Sequence, residues 1–247
     1  MRLIISALLI MVLAACNKNP TSITSPTPIP PIRVMCLGDS ITYGVGWDGG
    51  ETQDAQGYRG DLSSLLGSSY VFVGSQINGN FSQNHHEGHP GYPISGQPSA
   101  NGWRPGIYEN IQNWMEANPA DIILLHIGSN DIAINPTDTE VYTEMLINLG
   151  YLLQYMHEIN GSARIYVAEI TEIDVTKPAN GYDISNVYNQ IQAYNSGIPK
   201  VVQGMDWVTV VAMPILDSTD MWDLFHPNAT GYKKMAQTWY NSITANM

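Results

Sequence analysis

From residue 32 onward the chain alternates between short apolar runs and longer amphipathic stretches. Residues 32–37, 70–73, 121–127, 164–170 and 208–212 are short and rich in Val, Ile, Leu and Tyr, and they predict β-strands. The third holds Ile122, Ile123, Leu124 and Leu125 in succession. Such unbroken apolar character suits a central parallel strand covered on both faces. Between strands, Tyr142, Met145, Leu146, Leu149, Leu152, Leu153 and Met156 recur at steps of three and one, which is one face of a helix. Tyr232, Met235, Ala236, Trp239, Tyr240 and Ile243 repeat the pattern near the C-terminus. Both stripes read as core packing rather than cofactor contacts. The alternation predicts one α/β domain over residues 32–247, with a parallel sheet covered on both sides and no internal repeat. Residues 78–105, rich in Gly, Pro, His and Asn, are too long for a plain connector and are expected to form a functional loop region.

The first 31 residues follow other rules. Arg2, an apolar run over residues 3–13 and the small residues Ala14 and Ala15 make a secretory signal too short for a membrane span. Leu13-Ala14-Ala15-Cys16 resembles a bacterial lipobox, in which the cysteine becomes the first mature residue and carries the lipid. The alternative is an ordinary signal peptide, residues 1–15, cleaved near Ala15. Asn17 does not resemble an inner-membrane retention signal, so the expected location is the outer membrane or cell surface, and otherwise the medium. Residues 16–31 then form a tether: positions 17–31 hold five prolines with Ser and Thr. Wholly polyproline-like, they would reach about 45 Å. With Cys16 lipidated, Cys36 is left as a buried small hydrophobe without a disulfide partner.

Composition narrows the partners. The 247 residues are 44% hydrophobic and 13% charged, enough apolar content for a real core and too little charge for a disordered chain. Ten Lys and Arg stand against 22 Asp and Glu, a formal charge of −12. Phosphate contacts are made largely by Lys and Arg, so a general nucleic-acid binder is excluded.

Open parallel sheets place sites at the carboxyl ends of strands. Gly38-Asp39-Ser40-Ile41-Thr42 follows the first strand, Gly128-Ser129-Asn130-Asp131 the third, and Asp223-Leu224-Phe225-His226-Pro227 the last. A serine hydroxyl needs a base within hydrogen-bond reach, and His226 can serve. Asp223, three residues earlier, can hold the other imidazole nitrogen and stabilise the imidazolium. An ester carbonyl becomes an oxyanion during attack. Candidate donors are the Ser40 N–H, the Asn130 amide and a loop glycine N–H, and losing one such donor typically costs about 2.7–4 kcal/mol. The Gly-x-Ser-x-Gly elbow of α/β-hydrolases is absent, since Thr42 holds its last position.

These blocks resemble the SGNH or GDSL hydrolases, with Ser40 in GDSIT, Asn130 in GSND, and Asp223 with His226 in DLFHP. In HHEGHPGY, Gly91 fits the family's glycine oxyanion donor best, with Gly88 as its rival. LGDSITYG, GYRGDL, FVGS, LLHIGSND and HPNATGYKKMA are similar, more narrowly, to carbohydrate esterase family 3. The one departure, Ser129 where Thr is common, touches nothing catalytic. The resemblance implies a flavodoxin-like three-layer α/β/α sandwich, with a five-stranded parallel sheet in the order 2-1-3-4-5. It implies an exported serine esterase that removes acetyl groups from a polysaccharide, xylan first, through an acetyl-enzyme. It needs no cofactor and is expected to be a monomer. The same fold could act on lipid or other acyl esters. A non-catalytic carbohydrate-binding lipoprotein is the rival of another class.

Other residues carry plainer readings. His85, His86, Glu87 and His89 lack His-Glu-x-x-His spacing, and Gly88 and Pro90 would break the helix that motif needs, so loop shaping is expected rather than zinc. Asp48, Glu51 and Asp54 form a solvated loop that could supply calcium with oxygen ligands. Asp39 is expected to hydrogen-bond its own turn. Asp217 and Asp220 compete with Asp223 for the histidine, and the three-residue spacing favours Asp223. Trp47, Tyr92 and Trp103 lie in loops where rings can stack on sugars or pack the loops.

Overall fold

The structure, a computed structural model, describes residues 30–50, 52–178 and 181–245. The signal peptide, Cys16, nearly all of the tether and Glu51 lie outside the described residues.

The elements run β1 (Ile32–Gly38), α1 (Ser40–Tyr43), α2 (Gly57–Leu66), β2 (Tyr70–Val73), β3 (Gln76–Ile77), β4 (His85–Gly88), β5 (Gln97–Ser99) and β6 (Gly102–Arg104). There follow α3 (Ile111–Ala117), β7 (Ile122–His126), α4 (Ser129–Ile134), α5 (Val141–Ile159), β8 (Arg164–Ala168), α6 (Ile184–Val201), β9 (Val208–Val211) and α7 (Ala229–Ala245). Strands β2, β1, β7, β8 and β9 are parallel in that spatial order, the expected 2-1-3-4-5 arrangement.

The sheet also takes in two short strands that the hydrophobic pattern does not predict. β2 pairs with β1 over Ile32–Met35, and β4 occupies the same side further along, opposite Leu37 and Gly38. β3 pairs antiparallel with β4. The loop region 78–105 thus contributes an edge that reaches the carboxyl end of β1.

Side-chain alternation along each strand divides the core. Val34, Cys36, Ile122, Leu124, Tyr166 and Ala168 pack under Tyr58 and Leu62 of α2 and Tyr232, Met235 and Trp239 of α7. Met35, Leu37, Ile123, Leu125, Ile165 and Val167 pack against α3, α5 and α6. Each fully buried Leu, Ile or Met contributes roughly 1.5–3 kcal/mol relative to exposure. The predicted stripes of α5 and α7 face these two layers. α6 buries Val187, Ile191, Tyr194 and Ile198 at helical spacing, yet the Asn, Gln and Ser between them thin its stripe. Cys36 is a free, buried thiol whose pKa burial pushes up to about 12.

Two glycines bring α1 tightly onto the sheet. Gly38 and Gly88 are register partners in β1 and β4. A Cβ on Gly38 would lie 2.1 Å from the His126 carbonyl oxygen, and one on Gly88 2.5 Å from the Tyr43 nitrogen. No larger residue fits either place without moving the strand ends on which Ser40 stands.

Candidate active site

Ser40 opens α1 directly after β1. The Asp39 side chain accepts the Ile41 N–H at 2.9 Å, so the residue before the serine caps its turn, as expected. The last helix begins after a loop that folds on itself. Asp223 Oδ1 accepts the N–H groups of Phe225 (2.9 Å) and His226 (2.7 Å), a local turn that the Asp-x-x-His spacing produces unaided. The Trp222 N–H donates to the His226 carbonyl at 2.8 Å, and Met221 bridges to Pro227.

The two segments meet at the carboxyl edge of the sheet. Ser40 Oγ lies 2.9 Å from His226 Nε2, and His226 Nδ1 lies 2.8 Å from Asp223 Oδ2. Burial alone would raise the Asp223 pKa, but the hydrogen bond and charge of His226 and the two backbone N–H groups outweigh it and hold the carboxyl below its ordinary value. Asp223 is therefore the anion and Nδ1 the proton donor, which leaves the Nε2 lone pair to face the serine hydroxyl. Asp217 accepts from Thr219, and Asp220 is buried against Lys234 Nζ at 2.5 Å. Neither touches His226.

His89-Pro90-Gly91-Tyr92 forms a turn closed by Tyr92 N–H on the His89 carbonyl at 3.1 Å, with Gly91 at φ +80°. That conformation is the glycine position of a type II turn after proline. The Gly88 N–H is already given to His86 Nδ1 at 3.0 Å, whereas no described residue accepts the N–H of Gly91 or of Ser40. The geometry therefore favours Gly91 over Gly88 as an oxyanion donor. Asn130 Nδ2 donates to the Tyr92 carbonyl at 3.2 Å and to Asp39 Oδ2 at 3.3 Å. Both bonds are long, and an oxyanion would have to draw one proton away from them.

The histidine cluster is structural. Glu87 is fully buried, and its carboxylate accepts Ser75 N–H (2.8 Å), Ser75 Oγ (2.6 Å) and His89 Nε2 (2.7 Å). The His89 ring stacks on Trp114 at 4.0 Å, which fixes the residue before the Pro-Gly turn. Asp48 and Asp54 are exposed, and the Thr52 hydroxyl donates to Asp48. Among the described residues, no group of three or more His, Cys, Asp or Glu is placed to hold a metal ion.

The three aromatic candidates part company. Trp47 is half-buried and packs on the core layer beneath α2 and α7. Tyr92 is half-buried beside His89 and lends its carbonyl to Asn130. Trp103 is 67% exposed and, with Tyr92 and Gly91, lines a cavity of about 320 Å³ beside the oxyanion turn. Sequence reasoning passed over Trp222, which is 42% exposed with its ring 6.2 Å from that of His226. Its place next to Asp223 was the available signal. Gly46, at φ +87°, lets the loop after α1 reach this region: a Cβ there would lie 3.1 Å from both His226 Cβ and Trp222 Cβ.

Asp131 was also missed. It is buried and accepts the Ile94 N–H through both oxygens at 3.1 and 3.3 Å, tying the end of the oxyanion loop to α4. Burial raises its pKa to about 8, and that of Asp39 to about 6. A carboxyl whose folded pKa is raised holds a proton that the unfolded chain has released. Its stabilisation is therefore present below the ordinary carboxylate pKa and is lost as pH rises toward the folded value. As pH rises from about 5 to about 9, the Tm of Asp131→Asn, which keeps an acceptor for Ile94 and cannot ionise, should rise relative to that of the wild type. Parallel Tm profiles for the two proteins would mean that Asp131 does not titrate in that window.

Comparison with known proteins follows the same lines. The family model of the GDSL-like lipase/acylhydrolase family matches residues 36–234. A multidomain esterase of Ruminococcus flavefaciens is 31% identical over 232 residues, 86% of this chain. This chain spans only 28% of that relative's length. Among solved structures, a Clostridium thermocellum family 3 carbohydrate esterase superposes with a TM-score of 0.67 at 28% identity, covering 87% of this chain and 96% of that one. A carbohydrate esterase family 3 protein from Talaromyces cellulolyticus gives 0.60 at 21% identity, covering 87% and 97%, and shares the fold.

Proposed function

This chain belongs to the GDSL-like lipase/acylhydrolase family, and from that premise we propose that it is a serine O-acetylesterase acting on a polysaccharide, with acetylated xylan as its substrate. The observation that carries the reading is the hydrogen-bonded line from Ser40 Oγ through His226 to Asp223. Ser40 Oγ attacks the acetyl carbonyl while His226 Nε2 takes its proton, and Asp223 stabilises the imidazolium. The N–H groups of Ser40 and Gly91 and the Asn130 amide receive the oxyanion. Collapse returns the proton from His226 to the departing sugar oxygen and leaves an acetyl-enzyme. A water activated by the same histidine then releases acetate and restores the serine. The route uses protein groups and water alone. The likeness to a family 3 carbohydrate esterase supports a sugar as the leaving group, and so does the cavity beside Gly91, where Trp103, Asn101 and Ser99 offer a ring and polar partners.

The test is acetate release from acetylated xylan, run beside aryl esters from acetyl to octanoyl. Release from xylan with turnover falling steeply along the acyl series is the expected result. Turnover that rises with chain length, with none on xylan, would move the protein to lipid esters. Glycan binding without turnover of any ester would make it a binding protein.

We further propose that the chain is exported and held at the outer membrane or cell surface by lipid on Cys16, which would keep products of a polymer substrate near the cell. Labelled fatty acid should enter the wild-type protein and not Cys16→Ser. An unlabelled wild type would instead fit cleavage near Ala15.

A further inference from the structure

The hairpin of β5 and β6 stands between two cavities, the one beside Gly91 and a second of about 330 Å³ that extends to Tyr182. Both are bordered by Ser99, Asn101 and Arg104. In a chain with 22 acidic and 10 basic residues, neither cavity has a carboxylate in its lining, and the charged group in both is Arg104. Two other cavities are lined by acidic groups, Glu169 and Glu172 in one and Glu144 in the other, and a further one holds Lys233 and Lys234 beside Asp61.

Arg104 is also uncommitted. Arg33 is paired with Asp121, and Arg59 is buried among carbonyls. Arg104 gives one bond, from Nη1 to the Gly91 carbonyl at 3.0 Å, and makes no ion pair among the described residues. Its Nε and Nη2 edge is left without an acceptor there, in the geometry that takes a carboxylate through two parallel bonds. The adjacent Trp103 ring is set in place over Gly96, where a Cβ would come within 2.8 Å of Trp103 Cζ2. Its remaining surface is open to solvent. Consecutive strand residues point to opposite faces, yet Trp103 and Arg104 border the same cavity with Ser99 and Asn101 in its lining, a set of groups that fits a sugar carrying a carboxylate.

We propose that this hairpin forms a subsite for a uronic acid unit of the polysaccharide, with Trp103 stacking on its ring and Arg104 pairing with its carboxylate. The inference rests on the esterase reading and narrows its substrate to acetylated glycans bearing acidic sugars next to the acetylated unit. The Arg104 bond to Gly91 places the subsite beside the oxyanion turn, so an acidic unit seated there helps to register the neighbouring acetyl group over Ser40. The negative charge of the chain as a whole would otherwise repel such a polymer.

The experiment compares full-length protein on acetylated glucuronoxylan and on the same polymer stripped of glucuronate, matched for acetyl content. The acidic polymer should show a KM lower by about tenfold, the size of one charge-assisted pair, and the preference should shrink with added salt. Arg104→Gln should bring the ratio of kcat/KM between the two polymers close to one, and Arg104→Lys should restore part of it. Equal wild-type kcat/KM on both polymers would overturn the subsite and leave the esterase reading intact. So would a loss in Arg104→Gln that is the same on both, since that is what holding Gly91 alone would give. No release from either polymer or from an aryl acetate would bring down the esterase reading instead. Calorimetric binding of a glucuronate-bearing xylo-oligosaccharide against a neutral one of equal length judges the subsite even then, and equal affinities would overturn it.

Discussion

Ser40→Ala should lower kcat/KM on an aryl acetate by about 10³- to 10⁶-fold while the protein stays folded. The hydroxyl makes one hydrogen bond, to His226 Nε2, so its net loss to stability is about 1 kcal/mol. His226→Ala should cost about as much activity, and the double variant little more than either single one, because nucleophile and base act as one unit. Asp223 is more informative, since it has two tasks. Its Oδ1 holds the backbone of Phe225 and His226, and its carboxylate faces Nδ1. Asp223→Asn keeps an oxygen for the backbone but loses the charge that stabilises the imidazolium. It should retain a near wild-type Tm and lose about 10³- to 10⁴-fold in kcat. Asp223→Ala should lose activity and also loosen the loop, visible as a lower Tm. Full activity in Asp223→Asn would show that His226 is oriented by some other group. The comparison needs purified protein, circular dichroism and one chromogenic ester.

The parts of this site that could be read from the chain are those made by local rules. Unbroken apolar runs such as Ile122–Leu125, short and rich in β-branched residues, locate strands covered on both faces. Asp-x-x-His yields its turn through its own side chain, and Pro-Gly yields the type II turn at Gly91. The hidden parts depend on long-range pairing. β4 has the sequence HHEG, with no alternation to announce a strand, and it becomes one only because it fills the side of β1 that β2 leaves open. Asp131 reads as an ordinary turn residue after Asn130, since the partner that explains it, Ile94, is 37 positions away. Trp47 and Trp103 both read as loop residues in the sequence, but Trp103 lies in strand β6 of a two-stranded hairpin. Trp47 packs on the core and Trp103 faces solvent, a difference set by what covers each segment rather than by its sequence.

Arg59 is the strongest case, and its substitution should have the largest effect on folding. Nothing in GYRGDL marks the arginine as other than a surface residue of a short helix, yet it is fully buried. Its guanidinium donates to the carbonyls of Thr42 (2.8 Å), Tyr43 (2.9 Å), Ala55 (3.2 Å) and Asn78 (3.2 Å), and to Asn78 Oδ1 (2.9 Å). Among the described residues no carboxylate pairs with it. Burial lowers its pKa to about 10, so it remains charged at neutral pH, held by the Phe81 ring, whose centroid lies 5.7 Å from its Cζ, and by carbonyl dipoles. Those of Thr42 and Tyr43 lie at the end of α1, where helical carbonyls lack partners within the helix. In Arg59→Met the carbonyls of Thr42 and Asn78 and the Asn78 Oδ1 stay buried without a donor, at about 1–3 kcal/mol each, while those of Tyr43 and Ala55 keep a bond from Asn78 Nδ2. Two or three such losses approach the whole stability of an ordinary domain, about 5–15 kcal/mol. The variant should therefore be unfolded or lose more than about 10 °C in Tm. Arg59→Lys supplies three donors from one point, too few for a set spread over two loops and a helix end, and should fall between. Where it folds, kcat should drop while the Asp223–His226 turn, built by local bonds, is unaffected, since the end of α1 sets where Ser40 stands. Chemical unfolding of the three proteins, read beside kcat on the acetyl ester, separates the two effects. A wild-type Tm in Arg59→Met would mean that water or a rearranged loop satisfies those carbonyls, and that the serine owes its position to Gly38 and Gly88 without this arginine.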